Sequence, residues 1–190
     1  MRASDHLEAA REHTEAAQRS WPDQRAGADG SIGTSPGVAG PPWYYYWDPA
    51  TDHERLAEIH RSQAAQIEAD YQRACGDAPL AEISVSPLVH HAIGASEIPT
   101  GMVVYLTPEA GTPEQLLAEM RCHRAWMMLG RTNMDSCPLD LAGIEVVAHR
   151  TEGAVEVMIT TRDRGLVKEL QRRVAMDVEA AAAHNRRPAP

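Results

Sequence analysis

Two stretches of the chain show the same order of predicted elements: strand, strand, helix. Gly101-Met-Val-Val in the first stretch matches Gly153-Ala-Val-Glu in the second, and Leu116-Leu117 in the first helix matches Leu166-Val167 in the second. Repeated units of this kind place their helices on one face of an antiparallel sheet. We therefore expect an α+β two-layer sandwich built from two successive ββα units, with one or two α-helices before them.

The strands are predicted from short runs in which apolar and polar residues alternate. A turn at Glu152-Gly153 joins the last two strands into a hairpin. The expected strands are Glu82–Ser86, Met102–Leu106, Ile144–Ala148 and Val155–Thr161.

The helix ends are predicted from capping residues. Thr51 and Glu54 have the spacing of a capping box, as do Thr112 and Gln115, and Asp163 is the expected cap of the last helix. Glycines close the first two of these helices, at Gly76 and Gly130.

Composition shifts divide the chain into four parts. Residues 1–21 are an amphipathic N-terminal helix, residues 22–42 a Gly/Pro-rich linker, residues 43–184 a single α+β domain and residues 185–190 a disordered tail.

The aromatic run that follows the linker holds five of the nine aromatic residues in the chain: Trp43, Tyr44, Tyr45, Tyr46 and Trp47. Such rings bring large apolar area together with polar tips. We expect the run to fold back onto the domain, and the alternative is a docking platform for a protein partner.

Several function classes are excluded or disfavoured. No apolar stretch is long enough to span a bilayer, and a net charge of −9 without a Lys/Arg-rich run argues against nucleic acid as a partner. Motifs of phosphate-binding loops, serine hydrolases and zinc proteases are absent, which favours a protein without catalytic activity. The start lacks a secretory signal, so we expect a periplasmic or cell-envelope location if a signal was removed and a cytoplasmic one otherwise.

One group of side chains points to chemistry. His123 and Met127 are four residues apart on a predicted helix, next to Cys122, and Cys137 returns to the same end through a short loop. Thiolate, imidazole and thioether ligands favour soft Cu(I), so the residues predict a copper site formed by Cys122, His123, Met127 and Cys137, with His60 as an added ligand.

Other interpretations of the same residues stay open. Methionines at helical spacing commonly fill cores. The three cysteines allow one disulfide and one free thiol, and the disulfide is either Cys122–Cys137 or a pair that includes Cys75. A thiol enzyme is disfavoured, because adjacent helical residues such as Cys122 and His123 point about 100° apart and cannot act as nucleophile and base.

Two histidine pairs, His6 with His13 and His53 with His60, are each spaced by seven residues in similar segments. Ring positions two turns apart lie about 10 Å from each other, too far for chelation within one helix. Residues three positions before His13 and His60 are alanines rather than glutamates, which excludes a ferritin-like di-iron site.

The series His53, His60-Arg61, Ala74-Cys75, Cys122-His123 and Cys137-Pro138-Leu139 resembles a family of uncharacterised bacterial proteins, over roughly residues 43–182. Members are predicted to be exported or lipid-anchored, so the resemblance implies a cell-envelope location and no particular activity.

These observations give two hypotheses. The first is a non-enzymatic cell-envelope protein that binds copper through the cluster around His123. The alternative is an interaction or scaffold module with a structural disulfide and an aromatic docking segment.

Overall fold

The computed structural model describes residues 1–28, 49–130 and 136–185, except for the side chains of residues 21–28. The helices are α1 (Ala3–Ala28), α2 (Pro49–Cys75), α3 (Leu80–Ile83), α4 (Pro87–His91), α5 (Pro113–Met128) and α6 (Val167–Asn185). The strands are β1 (Ala92–Ile98), β2 (Gly101–Leu106), β3 (Ile144–Arg150) and β4 (Val155–Thr161). Short 3-10 turns lie at Pro108–Ala110 and Pro138–Asp140.

The chain separates into two compact units, Met1–Glu68 and Ala69–Pro190. Helix α1 continues to Ala28, past the start of the predicted linker, and residues 29–48 and 186–190 lie outside the described residues. Within residues 1–28, 49–130 and 136–185, no helix combines the length and apolar character needed to cross a bilayer.

The second unit confirms the predicted α+β class. Its four strands form an antiparallel sheet in the order β1-β2-β4-β3. The central strands pair buried residues directly across the ladder, since Val104 faces Val157 and Met102 faces Ile159. Burying these branched and long side chains on one face removes their apolar area from water, which is the main driving force for the layer.

The two long helices of this unit exchange partners between the repeats. Helix α6 packs against β1 and β2, and also touches β4, whereas α5 packs against β3. The predicted capping box of α5 is confirmed, because Gln115 N donates to Thr112 Oγ1 and Thr112 N donates to Gln115 Oε1, at 3.2 and 3.0 Å. Each helix therefore packs mainly on strands of the other repeat.

The predicted strand Glu82–Ser86 is wrong. The structure has helix α3 at Leu80–Ile83, and the strand that pairs with β2 is β1, Ala92–Ile98. Pro79 directly precedes α3, and Pro87 is the first residue of α4. Proline is favoured at the start of a helix because its φ is fixed near the helical value and the first N–H groups have no partner within the helix. The capping box at Thr51 is also wrong, because α2 already begins at Pro49.

The first unit contains α1 and the first part of α2. Buried alanines recur every seven residues on both helices, at Ala3, Ala10 and Ala17 and at Ala50, Ala57 and Ala64. Side chains of this size let two helix backbones approach closely. The helices run antiparallel, because His6 contacts His60 while His13 contacts His53.

Candidate functional site

A disulfide joins Cys75, at the end of α2, to Cys122 on α5, with their Cα atoms 4.8 Å apart. Gly76 follows with a φ of +53°, a conformation that glycine adopts without strain, and its N–H closes the helix on Gln72 O. The predicted stop of the helix at Gly76 is thus confirmed. So is the predicted alternative of a disulfide that includes Cys75, whereas the other predicted pair, Cys122–Cys137, is wrong because Cys137 is a free thiol.

A groove of about 570 Å³ opens beside this disulfide, and both half-cystines line it. Its apolar lining comes from Ala74, Ala78, Ile83, Pro87 and Ala118. Three of these, Ala74, Ala78 and Ala118, are exposed, so the groove is open at the protein surface. Volumes of this size are typical of ligand-binding sites.

The polar residues of the groove are Glu82, His90, His91, Glu119 and His123. Partial burial lowers the pKa of His90, and the neighbouring His91 and His184 lower it further, while Glu119 acts in the opposite direction. The His90 ring is therefore predominantly neutral at neutral pH.

His123 is buried, with 1% of its surface exposed, and its ring is fixed on both sides. Nδ1 lies 2.6 Å from the carbonyl oxygen of Ile83 and Nε2 lies 3.4 Å from Sγ of Cys137. A carbonyl oxygen only accepts, so the proton is on Nδ1 and Nε2 accepts from the Cys137 thiol. Burial lowers the pKa of His123, which keeps the ring neutral in this role.

Cys137 is the free thiol among the described residues. Burial raises its pKa to about 12, and the charges of Asp177 and Asp140 act in the same direction. Arg173 on α6 donates to the carbonyl oxygen of Cys137 at 3.1 Å and so holds the backbone in place. A thiol of this kind is a poor nucleophile and a poor metal ligand, because both roles need the thiolate.

The structure brings Cys137 close to His123, fourteen positions earlier in the chain, at the end of α5 to which the short connection after Gly130 returns the chain. The two side chains meet as hydrogen-bond partners rather than as the predicted copper ligands. The spacing of these residues indicates their proximity but not this hydrogen bond.

The predicted copper function is wrong. The Cys122 sulfur is held in a disulfide and cannot act as a thiolate ligand. Across residues 1–28, 49–130 and 136–185, no three His, Cys, Asp or Glu side chains gather in a way that could hold a metal ion. Met127 lies buried on α5 in the core, 2% exposed.

His60 belongs to the first unit, where it lies among three other histidines. Nδ1 of His6 is 2.9 Å from Nδ1 of His60, and Nδ1 of His13 is 3.1 Å from Nδ1 of His53. The rings of His13 and His60 stack with centroids 5.6 Å apart, which links the two pairs. The seven-residue spacing therefore pairs histidines between helices.

Comparison with known proteins finds no matching family model, no matching curated protein and no matching solved structure. The resemblance to the exported bacterial family stays a prediction. The aromatic run Trp43–Trp47 lies outside the described residues, so its predicted packing or docking also stays a prediction.

Proposed function

We propose that the chain is a non-enzymatic interaction module whose cysteines are structural and whose groove beside the Cys75–Cys122 disulfide receives apolar side chains of a partner. The observation that carries this proposal is that both sulfur-bonded residues line the groove. The disulfide fixes one wall, the end of α2, to the other wall, α5.

Two further observations support a binding role over a chemical one. The free thiol of Cys137 is buried, with 2% of its surface exposed, and burial keeps it in the neutral form. Its imidazole partner, His123, donates to a backbone carbonyl.

Disulfides are typical of proteins from oxidising compartments. We propose that this module acts in such a compartment, with Trp43–Trp47 as a second docking segment inferred from sequence.

The test uses a neutral peptide, N-acetyl-Leu-Gln-Leu-amide, titrated into the full oxidised chain with amide chemical shifts as the readout. We expect shifts at residues of the groove such as Ala78 and Ala118. Filling the groove by Ala118→Trp abolishes them. The matched variant Ala175→Trp, at an exposed position of α6, leaves them unchanged. Equal binding by both variants would contradict the proposal.

A further inference from the structure

The groove carries acidic groups beside its apolar lining. Glu82 lies on α3 and Glu119 on α5, so carboxylates come from two of the elements that form the groove. Glu119 is close enough to His90 to oppose the lowering of that ring's pKa. An apolar surface with charges at its edge selects for ligands that combine apolar area with the opposite charge.

With histidines counted as neutral at pH 7, the formal charges of the groove are those of its two carboxylates. His91 and His184 hold the His90 ring further toward its neutral form. The whole chain carries a net charge of −9, which adds to the attraction for a cation approaching from solution.

The shape of the groove decides between a small enclosed ligand and a protein segment. Ligand pockets bury most of the surface of a small molecule. Here three residues of the lining, Ala74, Ala78 and Ala118, are exposed, so an occupant keeps part of its surface in solvent. An extended segment of a partner protein, with alternate side chains facing inward, fits such an opening.

We infer, resting on the proposed function, that the groove binds a basic apolar segment of a partner protein, in which Arg or Lys lies between aliphatic residues. The aliphatic side chains contact the disulfide and the alanines, and the cationic group lies between Glu82 and Glu119. Arginine suits this place well, because its apolar stem packs along the wall while its head pairs with carboxylate.

The experiment compares three N-acetylated, amidated tripeptides, Leu-Arg-Leu, Leu-Gln-Leu and Leu-Glu-Leu, against the full oxidised chain at about pH 7.5. Dissociation constants come from amide shifts of the groove residues. We expect Leu-Arg-Leu to bind about fivefold tighter than Leu-Gln-Leu, and Leu-Glu-Leu weakest, as is typical of partly exposed ion pairs. At about 0.5 M salt the three should converge.

The variant Glu82→Gln/Glu119→Gln removes the preference for Leu-Arg-Leu but keeps binding of Leu-Gln-Leu. The control Glu97→Gln/Glu152→Gln makes the same charge change at exposed positions away from the groove and keeps the preference. Equal affinity for the three peptides, or a preference that survives in Glu82→Gln/Glu119→Gln, overturns the inference while the proposed function stands. Absence of groove shifts with every peptide overturns both.

Discussion

The Sγ atom of Cys137 lies 3.4 Å from Nε2 of His123, and the opposite nitrogen of that ring faces the carbonyl oxygen of Ile83. Thiol, imidazole and carbonyl thus form one buried chain of donors and acceptors that joins the 3-10 turn after Cys137 to α5 and α3. Such a chain stabilises the wall of the groove only while the Cys137 thiol and Nδ1 of His123 keep their protons and Nε2 of His123 stays free to accept.

This arrangement predicts a slow reaction of Cys137 with alkylating reagents. Because burial raises the thiol pKa to about 12, the reactive thiolate is scarce at neutral pH. We expect iodoacetamide to modify the native chain at least about a hundredfold more slowly than the urea-unfolded chain. Intact mass against time measures both rates. Rapid modification of the folded protein would contradict the assigned burial.

The Cys75–Cys122 disulfide closes a loop with a sequence separation of 47. Replacing both residues, Cys75→Ser/Cys122→Ser, should lower the free energy of unfolding by about 2–4 kcal/mol, since the unfolded chain regains the entropy of that loop. Urea unfolding of the full chain measures the loss. As a control, Cys137→Ser keeps the disulfide.

Alkylation of the unfolded wild-type chain checks the disulfide directly. Without reduction the chain should accept one alkyl group, and uptake of three would exclude the disulfide.

Substitution of Asp177, on α6, is expected to raise the free energy of unfolding. Burial raises its pKa to about 6, despite the nearby Ser86 hydroxyl, and its buried Oδ2 has no hydrogen-bond partner among the described residues. The folded state holds this proton more tightly than the unfolded state, so stability falls as pH rises between about 4 and 6 and stays reduced above.

Asp177→Asn should therefore raise the free energy of unfolding by about 1–3 kcal/mol at neutral pH, and the gain should vanish below about pH 4. Urea unfolding at a series of pH values measures this. Glu179→Gln, at an exposed position of the same helix, is the matched control and should change little. A gain that does not depend on pH would show that charge burial is not its cause.

Much of the sheet was predictable because its pattern is local. Strands β2, β3 and β4 show clear alternation, and α5 carries its own capping box. Strand β1 is not predicted from its sequence because Ala92–Ile98 contains alanine, glycine and glutamate, which are depleted in strands. Its contacts with β2 and α6 place it in the sheet.

The contacts of the site were harder to predict, because they depend on chain packing over long separations. Three cysteines allow three pairings, and spacing alone does not choose Cys75–Cys122. Likewise, Ile83 and Val85 show the alternation of a strand, but the structure has a helical turn at Ile83. Two long-range features favour this turn: the Ile83 side chain is buried, and its carbonyl oxygen accepts a hydrogen bond from His123.

The matched glycines of the two repeats differ in their surroundings. A Cβ atom on Gly101 would collide with the carbonyl oxygen of Ile159 on β4, whereas one on Gly153 meets open space. We expect Gly101→Ala to destabilise the chain by about 1–3 kcal/mol through local backbone shifts, and Gly153→Ala to stay within about 0.5 kcal/mol. Thermal unfolding of both variants measures this. Equal losses would show that the close approach at Gly101 is not maintained.

The exchange of helices between the repeats has a consequence for synthesis. Proteins leave the ribosome from the N-terminus. The apolar face of β1 and β2 therefore emerges well before α6, the helix that packs on both strands. Val104 and Leu106 stay uncovered by that helix until residues up to Asn185 have been made. The nascent chain thus depends on its last helix to protect its first hairpin, and a ribosome stalled before α6 would present an aggregation-prone surface.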